Sequence, residues 1–248
     1  MTATLAALLL AHALADFVLQ TARIAAGKAQ RQPWPFAQHI LAVLATALFC
    51  LAPLQPAAAL PLVLLTLGHA AIDLAKSFLP ATLRWFLIDQ AAHLALIATL
   101  AALWPGLWAA GAWAALPALP WIMALLAGLI LATRAGGFAI GLLMRPWVEE
   151  MRQAPGAPAE GAASLTHGGL VIGLLERGLI YLLIVVNQPA GIGFLIAAKS
   201  VLRFESARDL RAGEYVIIGT LASFGWALIA GYGARALALA LGFPGVTP

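Results

Sequence analysis

The apolar positions of the chain come in blocks of about twenty residues rather than as alternating faces. Segments at roughly 3–22, 36–53, 58–79, 84–104, 118–144, 169–187, 190–203 and 213–240 are nearly continuous Leu, Ala, Ile, Val, Phe and Trp. About twenty such residues in helix cross the hydrocarbon core of a bilayer. No period-two alternation of the barrel kind occurs, so the pattern predicts an all-α, polytopic transmembrane helix bundle of about eight membrane segments. The seventh segment is short and opens near Pro189, Gly191 and Gly193. That makes six or seven full spans plus a short or re-entrant segment the alternative count. The stretch 105–117 (PGLWAAGAWAALP) is apolar but bounded by prolines and rich in Trp, which suits an interfacial loop rather than a span. The first segment lacks a basic leader and carries His12 and Asp16 inside its apolar run. It is expected to be a retained helix rather than a signal peptide.

Polar positions fall between the blocks, and unevenly. Arg23, Lys28 and Arg31 follow the first segment, Lys76 and Arg84 the third, Arg145 and Arg152 the fifth, and Arg203, Arg208 and Arg211 the seventh. The alternate loops, near 53–57, 105–117 and 187–190, hold no Lys or Arg. By the positive-inside rule the charged loops are cytoplasmic and both termini lie outside. The hydrophilic interval 145–168 (RPWVEEMRQAPGAPAEGAASLTHG) divides the chain into an N-terminal helical half, 1–144, a cytoplasmic linker, and a C-terminal helical half, 169–248. His167 is expected at the surface of that linker. With 248 residues, 63% hydrophobic and 10% charged, the chain does not have the composition of a soluble domain. Its net charge of +4 is accounted for by the loop cations, so a nucleic-acid partner is not expected. The single cysteine, Cys50, excludes an internal disulfide and any cysteine-based metal knuckle.

The candidate chemistry lies inside the blocks. Segment one carries His12, Asp16 and Gln20, segment two opens near His39, segment three carries His69, Asp73 and Lys76, and segment four carries Asp89, Gln90 and His93. Residues four apart stand on one helix face, so each His/Asp pair presents an imidazole and a carboxylate in the same direction. The pair in segment four has the reverse order, as an antiparallel helix requires. With the topology above, all seven His and Asp groups fall in the cytoplasmic leaflet. An aspartate near the bilayer centre costs about 2.5–3.5 kcal/mol, so the cluster needs a compensation. Imidazole and carboxylate suit zinc first, with iron or manganese as alternatives. His12, Asp16, His39, His69, Asp73, Asp89 and His93 are the expected ligands, enough for one metal with supporting carboxylates or for two metals. The alternative is a hydrogen-bonded network that locks the helices together.

A second group of charges lies in the C-terminal half: Arg134, Glu176, Arg177, Lys199, Arg203 and Glu214. Together with Gln20 and Gln90 these are the expected substrate-binding residues, the cations receiving a phosphate or carboxylate. Snorkelling to the interface is the competing account of Lys199 and Arg203. A structural pair of Glu176 with Arg134 or Arg177 is the competing account of the rest. Gly137/Gly141 and Gly169/Gly173 have GxxxG spacing, which permits close packing within the chain or a homo-oligomer.

The words HALADFVLQ (12–20), GHAAIDLAKS (68–77) and FLIDQAAHL (86–94) resemble a bacterial membrane family, domain of unknown function 3307. IGLLERG, GFLIAAKSVLRF and EYVIIGT resemble the extended form of the same proteins. The resemblance implies a multi-pass protein of the bacterial cytoplasmic (inner) membrane, and no reaction. The residues themselves lead to the expectation of a membrane-embedded, metal-dependent enzyme, a hydrolase acting from the cytoplasmic leaflet on a lipid or lipid-linked anionic substrate. Asp16, Asp73, Asp89 and Lys76 are its expected catalytic groups. A metal oxygenase would use similar ligands. The alternatives are a transporter of protons or divalent metal, and a non-enzymatic structural or signalling protein with a His/Asp packing network.

Overall fold

A computed structural model describes residues 1–153, 168–204 and 210–245, and for 201–204 and 210–212 the backbone alone. His167, Arg208 and the side chains of Arg203 and Arg211 therefore lie outside the described part. The described chain is helical: α1 (Thr2–Leu14), α2 (Ala22–Ala29), α3 (Pro33–Leu51), α4 (Ala59–Lys76), α5 (Leu83–Leu103), α6 (Leu119–Ile130), α7 (Gly136–Gln153), α8 (Gly168–Val185), α9 (Ala190–Phe204) and α10 (Leu210–Ala240). A turn of π-helix, Ala15–Leu19, extends α1, and a second, Leu131–Ala135, joins α6 to α7. Among the described residues seven helical stretches are long and apolar enough to cross a membrane, and Ala190–Ser200 is a shorter apolar helix where the sequence has its short segment. The protein is thus a multi-pass helical membrane protein.

The chain forms two compact units, Met1–Leu131 with Gly233–Pro244, and Ala132–Tyr232 with Gly245–Pro248. In the first, α1 is the central helix and packs against α3, α5 and α6. It can take that place because Ala6, Ala7, Ala11 and Ala13, all fully or almost fully buried, let neighbouring backbones approach closely. Its one buried hydroxyl near the start, Thr4, donates to the Pro105 carbonyl at 2.9 Å and accepts from Trp108 N–H at 3.3 Å. The 105–117 stretch packs as a cap on the bundle. Leu107 and Trp108 are buried in the core, and Trp113 Nε1 donates to the Phe49 carbonyl at 2.8 Å.

Two short devices turn the chain at the other end of this unit. Thr21 caps α2 by accepting from Ile24 N–H at 3.3 Å, and α2 then lies against α3. Gly27 is the point of closest approach: a Cβ there would stand 2.6 Å from Pro35 Cβ. Gly27→Ala is expected to destabilise the first unit by about 1–3 kcal/mol, read as a lower midpoint of unfolding in detergent. Thr82 caps α5 with a long bond, 3.5 Å from Trp85 N–H, and the short link from Ser77 to Thr82 makes α4 and α5 antiparallel neighbours.

In the second unit Ile180, Ile184, Ile192, Phe224 and Ala227 form the core between α8, α9 and α10. Helix α7 continues to Gln153 with Pro146 inside it, so the first part of the hydrophilic 145–168 interval is helix. The glycine spacings do not serve helix packing here. Gly141 and Gly169 meet nothing within 4 Å, while Gly137 and Gly173 make room for the Arg177 guanidinium.

Candidate metal centre

Four helices of the first unit bring the seven His and Asp side chains together. His12 is near the end of α1, His39 in the second turn of α3, His69 and Asp73 in the last turns of α4, and Asp89 and His93 in the first turns of α5. Late positions on α1 and α4 meet early positions on α3 and α5, as alternating helix direction demands. Asp16 sits in the π-turn. An extra residue in that turn re-aims the side chain relative to a plain helix, a feature common at functional sites. His12, Asp16, His39, His69, Asp73 and His93 are all buried.

The inner part of the cluster has a definite shape. His39 Nε2 lies 3.1 Å from His69 Nε2, 3.5 Å from Asp16 Oδ1 and 3.2 Å from Asp73 Oδ2. His69 Nε2 lies 3.4 Å from Asp16 Oδ1 and 3.4 Å from Asp73 Oδ2. These five distances join two nitrogens and two carboxylate oxygens into two triangles that share the His39–His69 side. Zinc bonds of about 2.0–2.1 Å put neighbouring ligand atoms about 3.3–3.4 Å apart, and the five distances bracket that value. Asp16 Oδ1 has no hydrogen-bond partner despite its burial. The buried imidazole and carboxylate donors could hold a metal ion.

The remaining residues surround these four. His12 Nδ1 stands 3.7 Å from Asp16 Oδ1 while its Nε2 is 3.3 Å from Gln90 Oε1. The His12 ring stacks on His93 with centroids 5.1 Å apart, and His93 in turn is 4.2 Å from His69. His93 Nδ1 meets the Asp89 carbonyl at 2.9 Å, which fixes its proton there. That leaves His93 Nε2 buried without a partner; Asp89 Oδ1, 3.6 Å from His93 Nδ1, is likewise unpartnered. Asp73, Asp89 and His93 form a second group whose ligand atoms are within 4.8 Å of one another. Asp89 Oδ2 accepts from Gln90 Nε2 at 3.1 Å and lies 3.9 Å from Lys76 Nζ.

One member of the site was read from the sequence only as a loop cation. Lys28 Nζ donates to Asp73 Oδ2 at 2.6 Å and to Gln20 Oε1 at 2.8 Å. Gln20 is therefore tied to the cluster through Lys28. The signal was the helical word around Lys28, capped by Thr21, which folds the lysine back toward the end of α1.

Residues 4–114 match the family model DUF3307, a protein of unknown function. This part of the chain is similar to that family. The DUF3307 match takes in all seven His and Asp residues together with Gln20, Lys28, Lys76 and Gln90. The C-terminal words that resemble the extended form lie outside the matched residues. No curated protein and no solved structure matches the chain.

The second unit holds the other predicted residues, and pairs them differently from expectation. Glu176 binds Lys199, Oε2 to Nζ at 2.6 Å, and neither Arg134 nor Arg177. Glu176 and Arg177 are consecutive, so their side chains leave α8 about 100° apart and cannot easily serve one another. Arg177 instead turns inward to the Thr133 carbonyl and Ser223 Oγ. Arg134 and Glu214 are exposed and join no cluster among the described residues.

Proposed function

We propose that the protein is a membrane-embedded, metal-dependent hydrolase, acting on a lipid or lipid-linked anionic substrate from the cytoplasmic face of a bacterial inner membrane, with both chain termini outside. The observation that carries this reading is the buried set Asp16, His39, His69 and Asp73, joined by five distances of 3.1–3.5 Å. Zinc bound there would polarise a water or a substrate oxygen. Asp89 is the group best placed to take a proton: one oxygen is unpartnered and the other is held by Gln90. Lys76 and Lys28 gather positive charge at the polar end of the cluster, where an anionic group would enter.

Transport of metal or protons finds less support. A conducting path needs polar groups through both leaflets. The space beyond His12, His69 and His93 is lined by Leu8, Ala11, Val43, Leu65, Leu96 and Ile97, with a void of only about 10 Å³. That is about the least that holds one water.

The test is zinc-loaded protein in proteoliposomes offered phospholipid, ceramide and lipid-linked phosphate substrates in turn. Wild type is expected to release product from one class. Asp89→Asn is expected to lose that activity by about 100-fold or more while keeping its zinc. Zinc retained with no hydrolysis of any class would reject the hydrolase reading and leave the metal site standing.

A further inference from the structure

The second unit contains a cavity of about 220 Å³ bounded by α7, α8, α9 and α10, on the order of seven waters in size. Arg177 stands in its wall and is almost completely buried, with 5% exposure. Lys199 and Glu176 also line it, but their charges cancel across a 2.6 Å contact. Arg177 has no such partner: among the described residues no carboxylate lies within ion-pair reach of it. Its bonds go to neutral oxygens, Nε to the Thr133 carbonyl at 3.2 Å and Nη1 to Ser223 Oγ at 3.1 Å. The cavity therefore carries one uncompensated positive charge inside an apolar unit, an arrangement that is costly unless an anion is supplied.

The fork of the guanidinium is also still open. Among the described residues two of its five donors are used, one on Nε and one on Nη1. Gly137 and Gly173 flank this edge; a Cβ on them would stand 3.3 Å from Nη2 and 3.0 Å from Nη1. Any larger residue at either position would press on the edge that an oxyanion must reach. Other parts of the wall are mixed, with Ile140, Met144 and Val216 beside Tyr215 and Thr220. A small inorganic ion would not need the apolar part, and an uncharged chain would not need the arginine.

We propose that this cavity binds a singly charged phosphodiester group, gripped by the Nη1–Nη2 edge of Arg177, with the Glu176–Lys199 pair holding the site at a net charge of one. The phosphodiester comes from an anionic phospholipid of the surrounding bilayer or from a soluble phosphodiester. The site is built wholly from residues of the second unit and does not depend on the metal centre.

Native mass spectrometry of the full-length protein, delipidated and then titrated with phosphatidylglycerol, phosphatidylcholine or glycerophosphoglycerol, tests this. Wild type is expected to retain one phosphatidylglycerol in preference to phosphatidylcholine. Arg177→Lys keeps the charge but loses the fork, and is expected to bind about tenfold more weakly, the loss of one charge-assisted hydrogen bond. Glu176→Gln frees the Lys199 charge and is expected to bind several-fold more tightly. The opposite signs separate a binding role from a folding defect, which would weaken both variants. Competition by glycerophosphoglycerol at similar affinity identifies a soluble source, and its failure to compete identifies the lipid. Equal retention of phosphatidylglycerol and phosphatidylcholine, or equal binding by wild type and Arg177→Lys, overturns the proposal.

Discussion

Zinc affinity is expected to fall at least about 100-fold in His69→Gln, more than in any other single variant of the cluster. His69 Nε2 is within 3.4 Å of Asp16 Oδ1, His39 Nε2 and Asp73 Oδ2. It also belongs to two of the three overlapping groups that could hold an ion, with His12 and Asp16 and with His39 and Asp73. Its loss leaves no complete set in the inner part of the site. Removing a residue that only orients a ligand costs about 10–100-fold in metal affinity, and removing the ligand itself costs more. His12, which reaches Asp16 at 3.7 Å and Gln90 at 3.3 Å, is such an orienting residue, and His12→Gln is expected to lose about tenfold. Competitive titration against a zinc-binding dye reads both. Equal losses in the two variants would mean that the four-atom set is not the centre.

The second large effect is expected at Lys28, and it has two signs. Lys28 holds Asp73 through the same oxygen, Oδ2, that faces His39 and His69. In metal-free protein this ion pair, with side-chain exposures of 12% and 6%, offsets a buried carboxylate. Breaking such a pair from one side costs about 3–5 kcal/mol, so metal-free Lys28→Met is expected to unfold at a markedly lower temperature. A divalent cation and an ammonium cannot comfortably share one carboxylate oxygen. Removing the lysine is therefore expected to tighten zinc binding by about tenfold or more, since like charges a few ångströms apart repel by several kcal/mol even at partial screening. Thermal unfolding of wild type and Lys28→Met, with chelator and with saturating zinc, separates the two effects. Zinc should restore most of the lost stability in the variant. Weaker zinc binding in Lys28→Met would show instead that the lysine orients Asp73 for the metal.

Much of the architecture is legible in the sequence because a bilayer imposes a length on every span and a charge bias on every loop. The helical words His12/Asp16, His69/Asp73 and Asp89/His93 could be placed on faces by periodicity, and their convergence with His39 follows once helix direction alternates. Three things were not legible for one reason, and a fourth, a π-turn, for another. Periodicity assigns a residue to a face but does not say which neighbour that face meets. Lys28 lay outside any apolar block and was read by its charge alone, yet α2 folds it onto Asp73. Glu176 was set beside Arg134 or Arg177, and the packing of α8 on α9 gave it Lys199. Gly137 and Gly173 fit a helix-packing spacing, and what they accommodate is a guanidinium. The π-turn at Ala15–Leu19 leaves no mark in composition, although it decides where Asp16 points.

The most direct test of the central claim is the zinc content of tag-free wild-type protein, stripped with chelator, reloaded with zinc and passed through gel filtration. One tightly held zinc per chain, lost in both His39→Gln and Asp73→Asn, is the result that a centre of Asp16, His39, His69 and Asp73 predicts. A chain that emerges without zinc, or that holds it equally well in those variants, would contradict it.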